Sequence, residues 1–152
     1  MTKKLDLRQL HPDFFTEDGT ANGRAIYQWS LHLFTPLTYH RPEAYVKALV
    51  NYIIRRDQLA TTPEFTDKDA SRLSALRANK RTDEIPERHA LEAKRDAIAY
   101  ASAMLFGAQI ELNRHSRRLT KIDIEYIHDL LAHTGRTVPT PIETEFGKIA
   151  VL

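Results

Sequence analysis

The densest group of positive side chains in the sequence lies at residues 114–121, which hold four fixed positive charges: Arg114, Arg117, Arg118 and Lys121. Spacings of three and four residues place the three arginines on one face of a helix, provided that the helix continues to Arg118. Guanidinium groups in this arrangement can bind successive phosphates by charge-assisted hydrogen bonds. Cations at a helix end also stabilise the helix dipole, which is the structural alternative. We predict that these four residues bind a nucleic-acid backbone.

A second basic group, at residues 72–81, differs because acidic residues follow it directly at 83–87. The basic residues are Arg72, Arg77, Lys80 and Arg81. Opposite charges this close in sequence favour exposed ion pairs over a binding surface. We therefore expect this group to form a surface ion-pair region.

The last helix in the sequence does not favour the reading of DNA bases. A recognition helix presents Arg, Lys, Asn or Gln to base edges in the major groove. We expect this helix instead to expose Asp123, Glu125 and Asp129, which phosphates repel. Contact with the backbone is thus preferred over sequence-specific recognition, and the choice between RNA and DNA stays open.

Seven histidines raise the question of a metal site. Glu111 and His115 are one helical turn apart, and a metal-dependent enzyme would require both to converge with His128. The sequence has neither the H-E-x-x-H spacing of zincins nor the paired E-x-x-H helices of di-iron bundles. We predict no metal ligands, and a helical metal-dependent enzyme is the third-ranked hypothesis.

Other catalytic signatures are absent from the sequence. It has no Walker A loop, no G-x-G-x-x-G and no G-x-S-x-G. It has no cysteine, which excludes disulfides and thiolate nucleophiles. We predict no catalytic residue and no cofactor, and we interpret the protein as non-enzymatic.

One stretch holds the residue types of a known motif without its spacing. From His11 to Arg24 the residues of the Fic motif occur in order, but three interruptions separate His11 and Pro12 from the Asn-Gly-Arg at its end. The Fic loop is short because its backbone must wrap a phosphate beside the histidine, and the added residues destroy that register. We identify no family from the sequence.

Five helical segments are predicted to position these residues, at about 25–34, 43–59, 67–80, 86–118 and 120–134. Thr66 with Asp69, and Thr120 with Asp123, have the spacing of capping boxes. The predicted fold is an all-α bundle of about five helices with a long central helix. We expect the second helix and residues 97–112 to lie at its centre.

The 152 residues fit one domain, which we divide into an N-terminal arm at 1–20, a helical domain at 21–135 and a C-terminal tail at 136–152. A net charge of only +2 means that nucleic-acid binding must depend on a local surface. The start of the sequence lacks the apolar run of a signal peptide, and no apolar stretch is long enough to span a bilayer. These features predict a cytoplasmic protein that does not bind membranes.

Together these features predict a binding module, a small helical subunit or accessory factor of a nucleoprotein assembly. A protein partner is expected as well, and a homo-oligomer is left open. The alternative is a module that binds only protein, such as an inhibitor, immunity factor or adaptor. In that case residues 142–152 of the tail can add a strand to a partner sheet.

Overall fold

A computed structural model describes residues 5–31 and 42–132, and the backbone of residues 142–144 and 147–149. The fold is all-α, as predicted. Its helices are α1 (Leu7–Leu10), α2 (Gly23–Leu31), α3 (Pro42–Thr61), α4 (Asp67–Asn79), α5 (Ile85–Arg117) and α6 (Lys121–Leu131). Single 3-10 turns cover Pro12–Phe14 and Thr82–Glu84. The long helix α5 has 33 residues.

Side-chain caps fix where the helices begin. The Asn22 side chain accepts the Ala25 N–H at 3.2 Å in the first turn of α2. Both predicted capping boxes are present: Thr66 caps α4 with Asp69, and Thr120 caps α6 with Asp123. In each box the threonine hydroxyl accepts a hydrogen bond from the backbone N–H of the aspartate three residues later. The aspartate carboxylate in turn accepts a hydrogen bond from the backbone N–H of the threonine. Two backbone donors at the start of the helix are thereby satisfied.

The described residues form two compact units, and both long helices pass from one unit to the other. Unit 1 contains the residues up to Ile54 and those from Ala108 onward. Unit 2 contains residues 55–107. Within the predicted helical domain, contacts are therefore grouped in two places; the predicted boundaries of arm, domain and tail stay predictions.

Unit 1 has an apolar core built around α3 and α6. Its buried members are Leu7, Phe14, Ile26, Trp29, Tyr45, Val46, Val50, Ile53, Ile54, Tyr126, Ile127, Leu130 and Leu131. The second predicted helix therefore lies at the centre of this core, as expected. Residues 5–20, predicted as an arm, insert Leu7 and Phe14 into it. His11 is buried as well, and its Nε2 donates to the Leu131 carbonyl at 2.8 Å.

Unit 2 buries much less apolar surface. Its buried hydrophobic residues are Leu73, Leu76 and Ala101. The expectation that residues 97–112 occupy the centre of the bundle is wrong for most of that stretch, because Tyr100 is 64% exposed and Phe106 is 68% exposed. The apolar composition of residues 97–112 was the reason for predicting that they are buried, but no described helix covers this face of α5.

The tail contains a short antiparallel pair of strands, β1 (Ile142–Thr144) and β2 (Gly147–Ile149). Ile142 is paired with Ile149 and Thr144 with Gly147. The remainder of the predicted tail lies outside the described residues. Among the helices described, none is long and apolar enough to cross a membrane.

Candidate nucleic-acid interface

The four predicted cations lie at the junction of α5 and α6, within unit 1. Helix α5 ends at Arg117, and two tighter hydrogen bonds extend its turn: Arg118 N–H to the His115 carbonyl and Leu119 N–H to the Ser116 carbonyl, both at 3.2 Å. Lys121 is the first residue of α6. The basic residues thus lie on both sides of a short turn between two helices, and all four are exposed.

One of the four cations is already paired. Arg114 contacts Glu111 across one turn, with 3.1 Å between the guanidinium nitrogen and Oε2. The side chains of Arg117, Arg118 and Lys121 are exposed. None of these three forms an ion pair with any residue that the structure describes. We call Arg117, Arg118 and Lys121 the junction cations.

In the second basic group, by contrast, the arginines are paired with carboxylates. Arg72 binds Glu87 through two parallel hydrogen bonds, at 2.7 Å and 2.9 Å. Arg77 lies 3.5 Å from Glu92, and Arg81 lies 3.4 Å from Asp83. The hydrogen bond from Arg72 lowers the pKa of Glu87. The predicted surface ion-pair region is confirmed.

Helix α6 departs from its predicted exposure at one position. Asp123, predicted to be exposed, is buried, and its carboxylate accepts a hydrogen bond from the Thr120 N–H in the capping box at 3.3 Å. The apolar residue Ile122 is 58% exposed beside Lys121. Glu125 and Asp129 are exposed as expected, so this helix still presents acidic side chains.

The histidines take up separate structural roles. His115 Nε2 contacts Glu111 Oε1 at 3.1 Å. A hydrogen bond of 2.8 Å joins His128 Nε2 to the Tyr45 hydroxyl. Burial lowers the pKa of His128, while the nearby Asp129 carboxylate raises it to a smaller extent. In the described residues, no three His, Asp or Glu side chains are grouped where they can hold a metal ion.

The structure also clarifies the stretch from His11 to Arg24. His11 stacks on Phe14 at 4.6 Å between ring centroids and faces Trp29 edge-on. Its buried Nε2 is occupied by the Leu131 carbonyl. This histidine is therefore a structural residue in the core of unit 1.

Sequence reasoning identified the basic junction but missed the pairing inside it. Glu111 precedes Arg114 by three residues and His115 by four, and these spacings are sufficient to predict both contacts. As a result, three of the predicted cations are available to a ligand instead of four. A comparison with known protein families, curated proteins and solved structures found nothing that matches this chain.

Proposed function

We propose that this protein is a non-enzymatic binding module that contacts a nucleic-acid backbone through the junction cations. In this proposal it acts as a small helical subunit or accessory factor of a nucleoprotein assembly. The observation that supports it is a contrast between its two basic groups. Arg72, Arg77 and Arg81 have carboxylate partners, whereas the junction cations have none among the described residues.

This contrast matters because a phosphate must compete with any carboxylate that already holds a cation. Breaking the two hydrogen bonds between Arg72 and Glu87 would cost a free energy close to the free energy gained from a new contact with phosphate. Exposed cations without partners have no such contact to lose, and binding releases counterions from the nucleic acid. The junction cations are therefore the stronger candidates for phosphate contacts.

The acidic face of α6 restricts the mode of binding. Glu125 and Asp129 would approach phosphates if this helix entered a groove. The backbone is instead expected to pass over the turn between α5 and α6, where Arg117 and Arg118 meet Lys121. Contacts of this kind fix position on a strand and carry no sequence information.

Fluorescence anisotropy with labelled single-stranded and duplex oligonucleotides tests the proposal. The variant R117Q/R118Q/K121Q is expected to weaken binding by at least about tenfold, since each position loses a charge-assisted contact. The matched control R72Q/R77Q/R81Q removes the same number of charges from the ion-pair region. It is expected to bind as the wild type does.

Two results would contradict the proposal. Equal losses in both variants would indicate a nonspecific effect of net charge, and unchanged binding in the junction variant would place the contact elsewhere. Circular dichroism of each variant shows whether the helices are retained.

The second candidate is a module that binds only protein, and the exposure of Tyr100 and Phe106 in unit 2 favours it. Large aromatic side chains at the surface are typical of protein interfaces. Absence of nucleic-acid binding even at about 50 mM salt, where electrostatic contacts are strong, would make this candidate the better one.

A further inference from the structure

A cleft in unit 1 adjoins the last turns of α5, the helix that leads into the basic junction. It has a volume of about 470 Å³, which is within the range of small-molecule sites. Its lining comes from one face of α3, from the last turns of α5 and from the loop before α2. The lining includes the polar residues Lys47, Asn51, Glu111 and His115.

We infer that this cleft binds the terminal phosphomonoester of a nucleic-acid strand, with Lys47 as the cation that holds it. The inference rests on the proposed function, because it assumes that the rest of the strand lies on the junction cations. It adds a class of ligand, a phosphorylated strand end, and a site that is separate from the basic junction.

The polar groups of the cleft suit a phosphate. Lys47 is exposed and forms no ion pair with the described residues, and the Asn51 side chain forms no hydrogen bond with them. The cleft therefore contains an ammonium group and an amide whose hydrogen-bonding capacity is unused. Both can donate to phosphate oxygens.

The ammonium group of Lys47 lies beside the amino-terminal end of α2. A β-carbon at Gly23, the first residue of α2, would lie only 3.6 Å from Lys47 Nζ. The amino-terminal end of a helix carries a partial positive charge, which repels an ammonium group. A phosphate bound beside Lys47 would relieve this repulsion and gain from both charges.

The one acidic residue in the lining, Glu111, contacts two basic side chains. Glu111 Oε1 contacts His115 Nε2, and Glu111 Oε2 contacts Arg114, both at 3.1 Å. Each carboxylate oxygen is therefore occupied. The carboxylate consequently opposes an incoming anion less than a free one would, which leaves Lys47 as the unpaired charge of the lining.

The wall of the cleft leaves room for a nucleotide. Ala21, Ala44 and Ala48 contribute only methyl groups, so the space between α3 and α5 stays open. Arg118 follows His115 by three residues, and its amide bonds the His115 carbonyl, so the turn of α5 continues toward the junction. A strand end beside His115 would thus lie about one turn from Arg118, one of the cations that would hold the following phosphates.

The test compares oligonucleotides of one sequence that carry a 5′-phosphate, a 3′-phosphate or hydroxyl groups at both ends. Anisotropy is expected to show at least about tenfold tighter binding for one phosphorylated end, the effect of one charge-assisted hydrogen bond. K47Q is expected to abolish this preference and to leave binding of the unphosphorylated strand close to that of the wild type. The control K68Q, at an exposed helical lysine of unit 2, is expected to retain the preference.

A second variant tests the cleft without changing charge. Ala44 is exposed on α3, so A44L is expected to fold normally while its side chain fills part of the cleft. It should reduce the preference for the phosphorylated end as K47Q does. Retention of the preference in both variants would overturn the inference.

The remaining outcomes separate the two proposals. Equal binding of phosphorylated and unphosphorylated strands, still lost in R117Q/R118Q/K121Q, would overturn the cleft inference and leave the proposed function intact. Binding of labelled adenosine monophosphate, with no binding of any oligonucleotide, would overturn both the proposed function and the assignment to a strand end. In that case the cleft would be a site for free mononucleotides.

Discussion

Unit 1 and unit 2 are each stabilised internally by a different kind of interaction. Among the residues that the structure describes, unit 1 has a core cluster of thirteen buried hydrophobic side chains, most of which belong to α3 and α6. Unit 2 buries Leu73 and Leu76 of α4, and ion pairs join that helix to α5. The basic junction and the cleft belong to unit 1, whose apolar core depends less on charge screening than the ion pairs of unit 2 do. The difference predicts that salt affects the stability of unit 2 more than that of unit 1, on which the proposed binding site lies.

The largest expected effect comes from truncating a leucine in each unit. L131A removes a completely buried side chain from unit 1 and is expected to lower the free energy of unfolding by about 2–5 kcal/mol. L76A, at a position that is 2% exposed, is expected to loosen unit 2. Hydrogen exchange measured by residue should then accelerate in α4 under L76A while the amides of residues 45–54 in α3 stay protected. Equal acceleration in both helices would show that the two units unfold as one.

A smaller effect is expected at the hydrogen bond between Tyr45 and His128. Y45F removes the hydroxyl and is expected to cost about 0.5–1.5 kcal/mol, the usual net contribution of one hydrogen bond. Chemical denaturation of the wild type and Y45F near neutral pH measures this difference. An unchanged midpoint would contradict a stabilising role for the bond.

The same pair predicts how stability depends on pH. Because burial lowers the pKa of His128 from the ordinary value of 6.5, the unfolded chain binds more protons than the folded one just below that pH. The stabilising contribution of His128 is therefore fully present above pH 6.5 and is lost as the pH falls through the lowered folded-state pKa. H128Q should flatten this part of the curve of stability against pH. A decline of the same steepness in H128Q would assign it to other groups.

The smallest effect is expected from salt acting on unit 2. The hydrogen bond from Lys94 and the capping-box amide lower the pKa of Asp69, and Arg72 does the same for Glu87. These pairs are accessible to solvent, and at about 1 M salt the screening length shrinks to about 3 Å. Hydrogen exchange in α4 should therefore accelerate with salt more than exchange in residues 45–54. R72Q, which already lacks one pair, should show a weaker dependence.

Local sequence signals predicted the helices well. The capping boxes at Thr66 and Thr120 fixed the starts of α4 and α6, because cap residues act within a single turn. The burial of Leu7, Phe14 and His11 was not predictable in this way. His11 bonds Leu131 across 120 residues of chain, and a contact at that separation leaves no local pattern.

The candidate site was predictable in part for the same reason. The cations at residues 114–121 are adjacent in the sequence, so their clustering is visible there. The cleft is not, because folding brings Lys47 and Asn51 of α3 beside Glu111 and His115 of α5. The exposure of Tyr100 and Phe106 was missed because apolar composition does not reveal which side chains a neighbouring helix covers.

The most direct test of the central claim is the salt dependence of duplex binding by the wild type and R117Q/R118Q/K121Q. If the three junction cations each neutralise one phosphate, affinity should fall by about fortyfold between about 50 and 200 mM salt, from a slope of about −0.9 for each contact. The variant should lose this dependence together with its binding. Wild-type affinity that does not change with salt, or an equally steep dependence in the variant, would contradict the claim.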